Sequence, residues 1–126
     1  MYDFELLTAT SLNEAVTALQ NEETQALAGG QTLIPTMKQR LASPERLVSL
    51  TRIKALQGVT VTAKEVVIGA ATRHADVAVQ AAACFPALAD LAGHIGDPAV
   101  RNRGTIGGSL ANNDPAACYP AAVLAC

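Results

Sequence analysis

Two glycine pairs, far apart in the chain, each join a strand or turn to sequence that can begin a helix. The first glycine segment is Ala28-Gly29-Gly30-Gln31-Thr32, and the second glycine segment is Thr105-Ile106-Gly107-Gly108-Ser109. Glycine lets backbone N–H groups approach an anion without an intervening side chain, and a helix start adds unpaired donors and a favourable dipole. We therefore predict that the two segments hold one diphosphate between them. Taken alone, the first pair is equally typical of a tight turn and the second of a bulge or hairpin turn.

Length and charge narrow the class of protein. The 126 residues fit one domain with a real core, and the net charge of −2 without a run of basic residues argues against nucleic-acid binding. No apolar run approaches the roughly 20 residues that span a bilayer, and residues 1–5 are acidic where a signal peptide would be basic. We expect a cytoplasmic protein with no membrane partner.

The scarce aromatic residues, histidines and cysteines restrict the possible chemistry. Aromatics make up only 3% of the chain, so the core must consist mainly of Ala, Val, Leu and Ile. Cys84, Cys118 and Cys126 are widely spaced and odd in number, which predicts reduced, semi-buried thiols and no disulfide framework. His74 and His94 are isolated in sequence, so we expect surface or cap positions for them and no metal site.

In the first half of the chain, short strands alternate with helices. Ser11 and Glu14 have the spacing of a capping box for one helix, and Pro35 falls in the first turn of a helix that begins after Gly30. This alternation favours a small parallel or mixed sheet in a first subdomain, residues 1–57. Strands are predicted at 4–7, 25–28 and 46–50.

The second half, residues 58–126, has a different pattern and is predicted to form a second subdomain. It starts with a hairpin whose turn is Ala63-Lys64. Thr72 is predicted to cap a helix, and Phe85-Pro86 to begin another. The stretch 96–115 is rich in turn formers and is predicted to be a shaped loop. The final helical pattern, 116–125, has no stop signal, so we expect a truncated domain with an unpaired sheet edge and weak stability or self-association.

Four motifs in collinear order resemble the FAD-binding subunit of molybdenum hydroxylases, a family that includes the medium subunit of carbon monoxide dehydrogenase and the flavin portion of xanthine dehydrogenase. Arg101-Asn102-Arg103-Gly104 leading into the second glycine segment is the most specific of them. The motifs are residues 28–35, 47–53, 101–111 and Asp114-Pro115. The resemblance covers the N-terminal portion of a family member and implies an α+β fold, namely the two-subdomain FAD-binding module of the vanillyl-alcohol oxidase and enolpyruvylglucosamine reductase type, truncated.

The resemblance also implies which residues bind the cofactor. Cys118 stands where the family usually has a carboxylate that often hydrogen-bonds the sugar-like side chain of the flavin. Arg101 and Arg103 could neutralise the diphosphate, although solvated arginines beside a loop are the commoner case. The implied FAD-binding residues are Ala28, Gly29, Gly30, Gln31, Thr32, Leu33, Thr105, Ile106, Gly107, Gly108, Ser109 and Asp114.

The implied function is that of a flavin-dependent oxidoreductase subunit in a heteromeric complex. An iron-sulfur subunit, supplied by a molybdopterin subunit, would pass electrons to FAD and on to an acceptor. The flavin carries such chemistry, so no catalytic side chain is predicted. Two alternatives remain: a truncated or degenerate interaction module without cofactor, and a protein that binds another phosphorylated ligand.

Overall fold

The computed structural model describes residues 1–126 and contains five strands, seven α-helices and one 3-10 turn, Lys54–Leu56. The strands are β1 (Glu5–Thr8), β2 (Thr24–Leu27), β3 (Arg46–Ser49), β4 (Val59–Val61) and β5 (Val66–Ile68). The helices are α1 (Leu12–Ala18), α2 (Leu33–Lys38), α3 (His74–Gln80), α4 (Pro86–Gly93), α5 (Pro98–Arg101), α6 (Ile106–Asn112) and α7 (Cys118–Ala125). None of the helices has the length and apolar character that crossing a bilayer requires.

The first three strands form one parallel sheet in the order β1-β3-β2, as the alternation of strands and helices predicted. The central strand carries the buried side chains Leu47 and Val48, and Val48 packs with Ala9, Ala15 and Ile53 in a small core. Because the strands are parallel, the segments that follow them leave the sheet at the same edge. The first glycine segment leaves that edge directly after β2.

The capping box predicted for α1 forms with one change of partner. The Ser11 hydroxyl accepts a hydrogen bond from the Glu14 N–H at 3.2 Å. The Glu14 carboxylate reaches one residue further than expected and accepts from the N–H and the hydroxyl of Thr10 at 2.8 and 3.1 Å. Of the apolar face of this helix only Ala15 is buried, and Val16 is 58% exposed. The helix is therefore capped at its N-terminus, and part of its apolar side is exposed to solvent.

The second sheet is the predicted hairpin. Strands β4 and β5 are antiparallel, and the Thr62 N–H donates to the Glu65 carbonyl at 2.9 Å across the two-residue turn. Helices α3 and α4 pack against each other beside it, and α4 begins at Pro86 as expected. The second core consists of Val77, Ala81, Leu88, Ala89, Ala92, Ile106 and Tyr119.

The structure corrects three local predictions. Thr72 does not cap α3; its hydroxyl bonds the N–H and carbonyl of Gly58, because a buried hydroxyl requires partners and the hairpin start supplies both. The stretch 96–115 is not a loop throughout, since it contains α5 and α6. Of the three thiols, Cys84 is half-buried, but Cys118 and Cys126 are exposed because they lie on the outer side of α7 and at its end.

Candidate functional site

The two glycine segments lie against each other. A methyl group at position 29 would overlap the carbonyl oxygen of Arg103 and lie 2.6 Å from the Cα of Gly104, so the two backbones touch at this point. A second contact joins Gly108 to Ala28, where a methyl group at position 108 would lie 3.2 Å from the Ala28 Cβ. The structure thus places both predicted segments at one location, at the carboxyl edge of the parallel sheet.

The first glycine segment presents a run of free backbone donors. None of the six N–H groups from Ala28 to Leu33 donates a hydrogen bond within the protein. Gly30 has φ +72°, a left-handed conformation that glycine adopts without strain, and it turns the chain into α2. Thr32 precedes that helix and makes no side-chain cap bond. A helix start with six free donors is suited to an anion with several oxygen atoms.

The second glycine segment is different, because four of its five backbone N–H groups, those of residues 106–109, donate within the protein. We expected N–H groups from both segments to face the ligand, and for this segment the structure shows otherwise. The Thr105 side chain caps α6, and the segment is hydrogen-bonded to the chain that follows β5. The bonds are Ile106 N to Thr72 O (3.1 Å), Gly107 N to Ala70 O (2.9 Å), Gly108 N to Thr105 Oγ1 (3.1 Å) and Ser109 N to Thr105 O (3.0 Å).

The second segment contributes close packing of its backbone against neighbouring residues and one free hydroxyl group. A methyl group at Gly107 would lie 2.6 Å from both the Cβ and the carbonyl oxygen of Ala70, so glycine is needed there for packing. The Ser109 hydroxyl forms no hydrogen bond within the protein and is half-buried. It is the side-chain group of this segment that remains available to a ligand.

A buried pair of side chains, which the sequence did not reveal, lies beneath the second segment. His74 is only 5% exposed, and its Nδ1 and the hydroxyl of Tyr119 share a hydrogen bond of 3.2 Å. The surface or cap position predicted for His74 is therefore wrong. Burial lowers the pKa of His74 and raises the pKa of Tyr119, so both side chains are neutral near pH 7. The only sequence signal for this buried pair is the scarcity of tyrosine, since Tyr119 is one of two in the chain.

The remaining predicted polar residues have local structural partners. The Asp114 carboxylate accepts from the Ala116 N–H at 2.9 Å in the turn before α7. Arg101 donates from Nη1 to the carbonyls of Ile95 and Gly96. Arg103 contributes its main-chain carbonyl to the contact with Gly29. Cys118 is exposed at the first position of α7.

The structure also shows an open cleft of about 700 Å³ at the same sheet edge, over the segments that follow β1 and β3. Its lining includes Arg52 and Lys54. No group of three or more His, Cys, Asp or Glu side chains is arranged to bind a metal ion.

Residues 2–126 match the family model described as the FAD binding domain in molybdopterin dehydrogenase. The carbon monoxide dehydrogenase medium chain of Hydrogenophaga pseudoflava is 43% identical over 128 residues, a match that covers 97% of this chain and 44% of the relative. The 6-hydroxypseudooxynicotine dehydrogenase complex subunit alpha of Paenarthrobacter nicotinovorans is 36% identical, with 97% of this chain and 43% of the relative covered.

The fold agrees with these similarities. The solved structure of carbon monoxide dehydrogenase from Hydrogenophaga pseudoflava, in a form that lacks the Mo-pyranopterin moiety of the molybdenum cofactor, superposes with a TM-score of 0.92 at 42% identity. The alignment covers 96% of this chain and 44% of the solved one, so the chain spans less than half the length of the relatives it matches. With a mixed helix and sheet fold and a family match over almost every residue, the chain belongs to the FAD-binding domain family of the molybdopterin dehydrogenases.

Proposed function

We propose that this chain binds FAD as part of the electron-transfer subunit of a molybdenum-containing hydroxylase or dehydrogenase, with the diphosphate held at the first glycine segment. One observation carries the proposal: six consecutive free N–H groups, from Ala28 to Leu33, lie at a helix start in backbone contact with the second segment. This donor set fits the charge and the number of oxygen atoms of a diphosphate.

The two segments have separate roles in the proposed site. The backbone from Ala28 through Gly29, Gly30, Gln31, Thr32 and Leu33 supplies donors. Gly108 allows close approach to Ala28 of the first segment, and Gly107 allows close approach to Ala70. Thr105 caps α6, Ile106 anchors that helix in the second core, and Ser109 supplies a hydroxyl. Asp114 shapes the turn that enters α7, and it is retained from the predicted set in that role.

When bound, the flavin supplies one- and two-electron transfer. The residues of this chain would bind and orient it: the N-terminus of α2 would favour negative charge, and the second segment would hold the first in place by backbone contact. No side chain of the site is required as an acid, base or nucleophile.

The partners belong to the proposal as well. An iron-sulfur subunit would deliver electrons from a molybdopterin subunit, and FAD would pass them to an acceptor. This is supported by the relatives, one of which is named a medium chain and another a complex subunit. A cytoplasmic location stays a prediction.

We also propose the division of the chain at 57/58 and the two-subdomain architecture of the vanillyl-alcohol oxidase and enolpyruvylglucosamine reductase type. Support comes from the separate sheets and the separate cores of the two halves. In this arrangement the glycine segments form one contact between the subdomains, and the bond from the Ala71 N–H to the Leu56 carbonyl forms another.

The test is a titration of the purified protein with FAD, ADP and FMN, followed by flavin fluorescence or calorimetry. We expect FAD and ADP to bind, and FMN, which has one phosphate, to bind more weakly. Binding of ADP with no preference for FAD would favour a site for another phosphorylated ligand. Binding of none of the three would favour an interaction module without cofactor.

A further inference from the structure

The imidazole of His74 fills the space beneath the turn that leads into the second glycine segment. A methyl group at Gly104 would lie 2.5 Å from His74 Nε2 and 2.8 Å from Cδ2. On its other side, the same turn touches Gly29, since the Cα of Gly104 would lie 2.6 Å from a methyl group at that position. Gly104 is thus packed between the histidine ring and the first glycine segment.

The main chain around His74 fixes this turn as well. The His74 N–H donates to the Gly104 carbonyl at 3.0 Å, and Arg73 forms an isolated antiparallel bridge with Thr105. The backbone therefore sets the position of the turn along the chain. The distance between the turn and the second core depends on the side chain of His74, which packs beneath Gly104.

Tyr119 determines how that ring is oriented. Its hydroxyl bonds His74 Nδ1 at 3.2 Å, and the two ring centroids are 5.3 Å apart. Tyr119 is fully buried in the second core, and this is the one hydrogen bond of its hydroxyl within the protein. Breaking the bond leaves two buried polar groups without partners, which favours a different ring position.

We propose that His74 and Tyr119 are positioning residues for the diphosphate site, holding the Gly104 turn against Gly29 so that the first segment keeps its donor geometry. This inference rests on the proposed function. The two side chains would affect the ligand only through the Gly104 turn that they support. It also makes the start of α7 part of the site's support.

The test is Tyr119→Phe, which removes the hydroxyl and keeps the ring. Tyr2→Phe is the matched control, because Tyr2 is exposed and packs over Arg40. At a temperature where circular dichroism shows both variants folded, we expect the Kd values for FAD and ADP to rise together by about three- to tenfold in Tyr119→Phe only. We also expect the ³¹P resonances of bound FAD to shift, which a loss of stability alone would not cause.

A second pair of variants guards against misfolding. The amide of His74→Gln can reach the position of Nε2 beneath Gly104, whereas His74→Ala leaves that space empty, so we expect Gln to keep more of the affinity for FAD than Ala does. Unchanged Kd values and ³¹P shifts in Tyr119→Phe, or equal losses in the Gln and Ala variants, would overturn the positioning role while FAD binding stands. If the unmodified protein binds neither FAD nor ADP, the proposed function fails and this inference with it.

Discussion

The two glycine segments have similar sequences but different physical roles. The first has six free N–H groups and a glycine with φ +72°. In the second, the N–H groups of four consecutive residues, 106–109, are all bonded within the protein, and its glycines lie where side chains would collide with Ala70 or Thr105. A glycine pair before a helix or in its first turn therefore indicates close approach, and the bonding of its N–H groups decides whether a ligand or the protein itself is approached.

The largest effect is expected from Gly29→Ala. The added methyl group would overlap main-chain atoms of Arg103 and Gly104, which cannot move aside as a side chain can. We expect a loss of about 1–3 kcal/mol in unfolding free energy and a fall of about tenfold or more in FAD affinity. Denaturant unfolding and FAD titration measure both. Gly93→Ala is the control, since its methyl group would lie 3.9 Å from Ala78 Cβ; equal effects in the two variants would contradict the contact.

Gly107→Ala is expected to have a smaller effect of a different kind. Its methyl group would lie 2.6 Å from Ala70, which costs stability, but Ala favours a helix over Gly by about 1 kcal/mol and offsets part of that cost. The melting temperature should therefore fall, while the folded protein loses less FAD affinity than Gly29→Ala does. An affinity loss as large as in Gly29→Ala would show that the two segments act alike.

Two hydroxyl groups of the second segment separate stability from binding. Thr105→Ala removes the cap of α6 and should lower the unfolding free energy by about 1 kcal/mol. Ser109→Ala breaks no bond within the protein, so its melting temperature should stay constant while the Kd for FAD rises by about three- to tenfold. Calorimetry with and without FAD measures both. A Ser109 variant with lower stability and unchanged Kd would exclude the hydroxyl from the site.

The smallest effect is a dependence of stability on pH that comes from His74, which lies beneath the turn leading into the second segment. Burial lowers the pKa of His74 below its usual 6.5, so the unfolded chain takes up a proton first as pH falls. The stability contribution is complete above pH 6.5 and is lost as pH falls from there towards the pKa of the folded protein. Melting between pH 7.5 and 5 should show this slope, and His74→Asn should reduce it. An identical slope in both proteins would be evidence against it. Glu14, whose pKa lies below 4.5 because of its bonds to Thr10, acts at lower pH.

Patterns within short stretches of sequence predicted the two sheets of the fold. The parallel sheet follows from strands alternating with helices, and the hairpin from two apolar runs around Ala63-Lys64. The meeting of the glycine segments was predicted from the need of a diphosphate for several donors. The family resemblance was confirmed along almost the whole chain.

The remaining features depend on partners that are distant in sequence. Helix α5 was missed and α6 was expected only after the second glycine pair, because glycine, proline and asparagine are frequent in 96–115. Asp97 and Thr105 are typical cap residues and were the signals to use. The bond between His74 and Tyr119 crosses from α3 to α7, and no local pattern indicates it. Likewise, the N–H groups of Ile106 and Gly107 are bonded to the carbonyls of Thr72 and Ala70, which are distant in sequence.

The contact between Gly29 and the Arg103–Gly104 turn has a consequence for the order of events during synthesis. The first segment leaves the ribosome long before its counterpart, and contacts between residues so distant in sequence form late in folding. A nascent chain therefore exposes free N–H groups with nothing opposite them. For the diphosphate site that we propose, we therefore expect FAD to be captured only after α6 has been made and has docked.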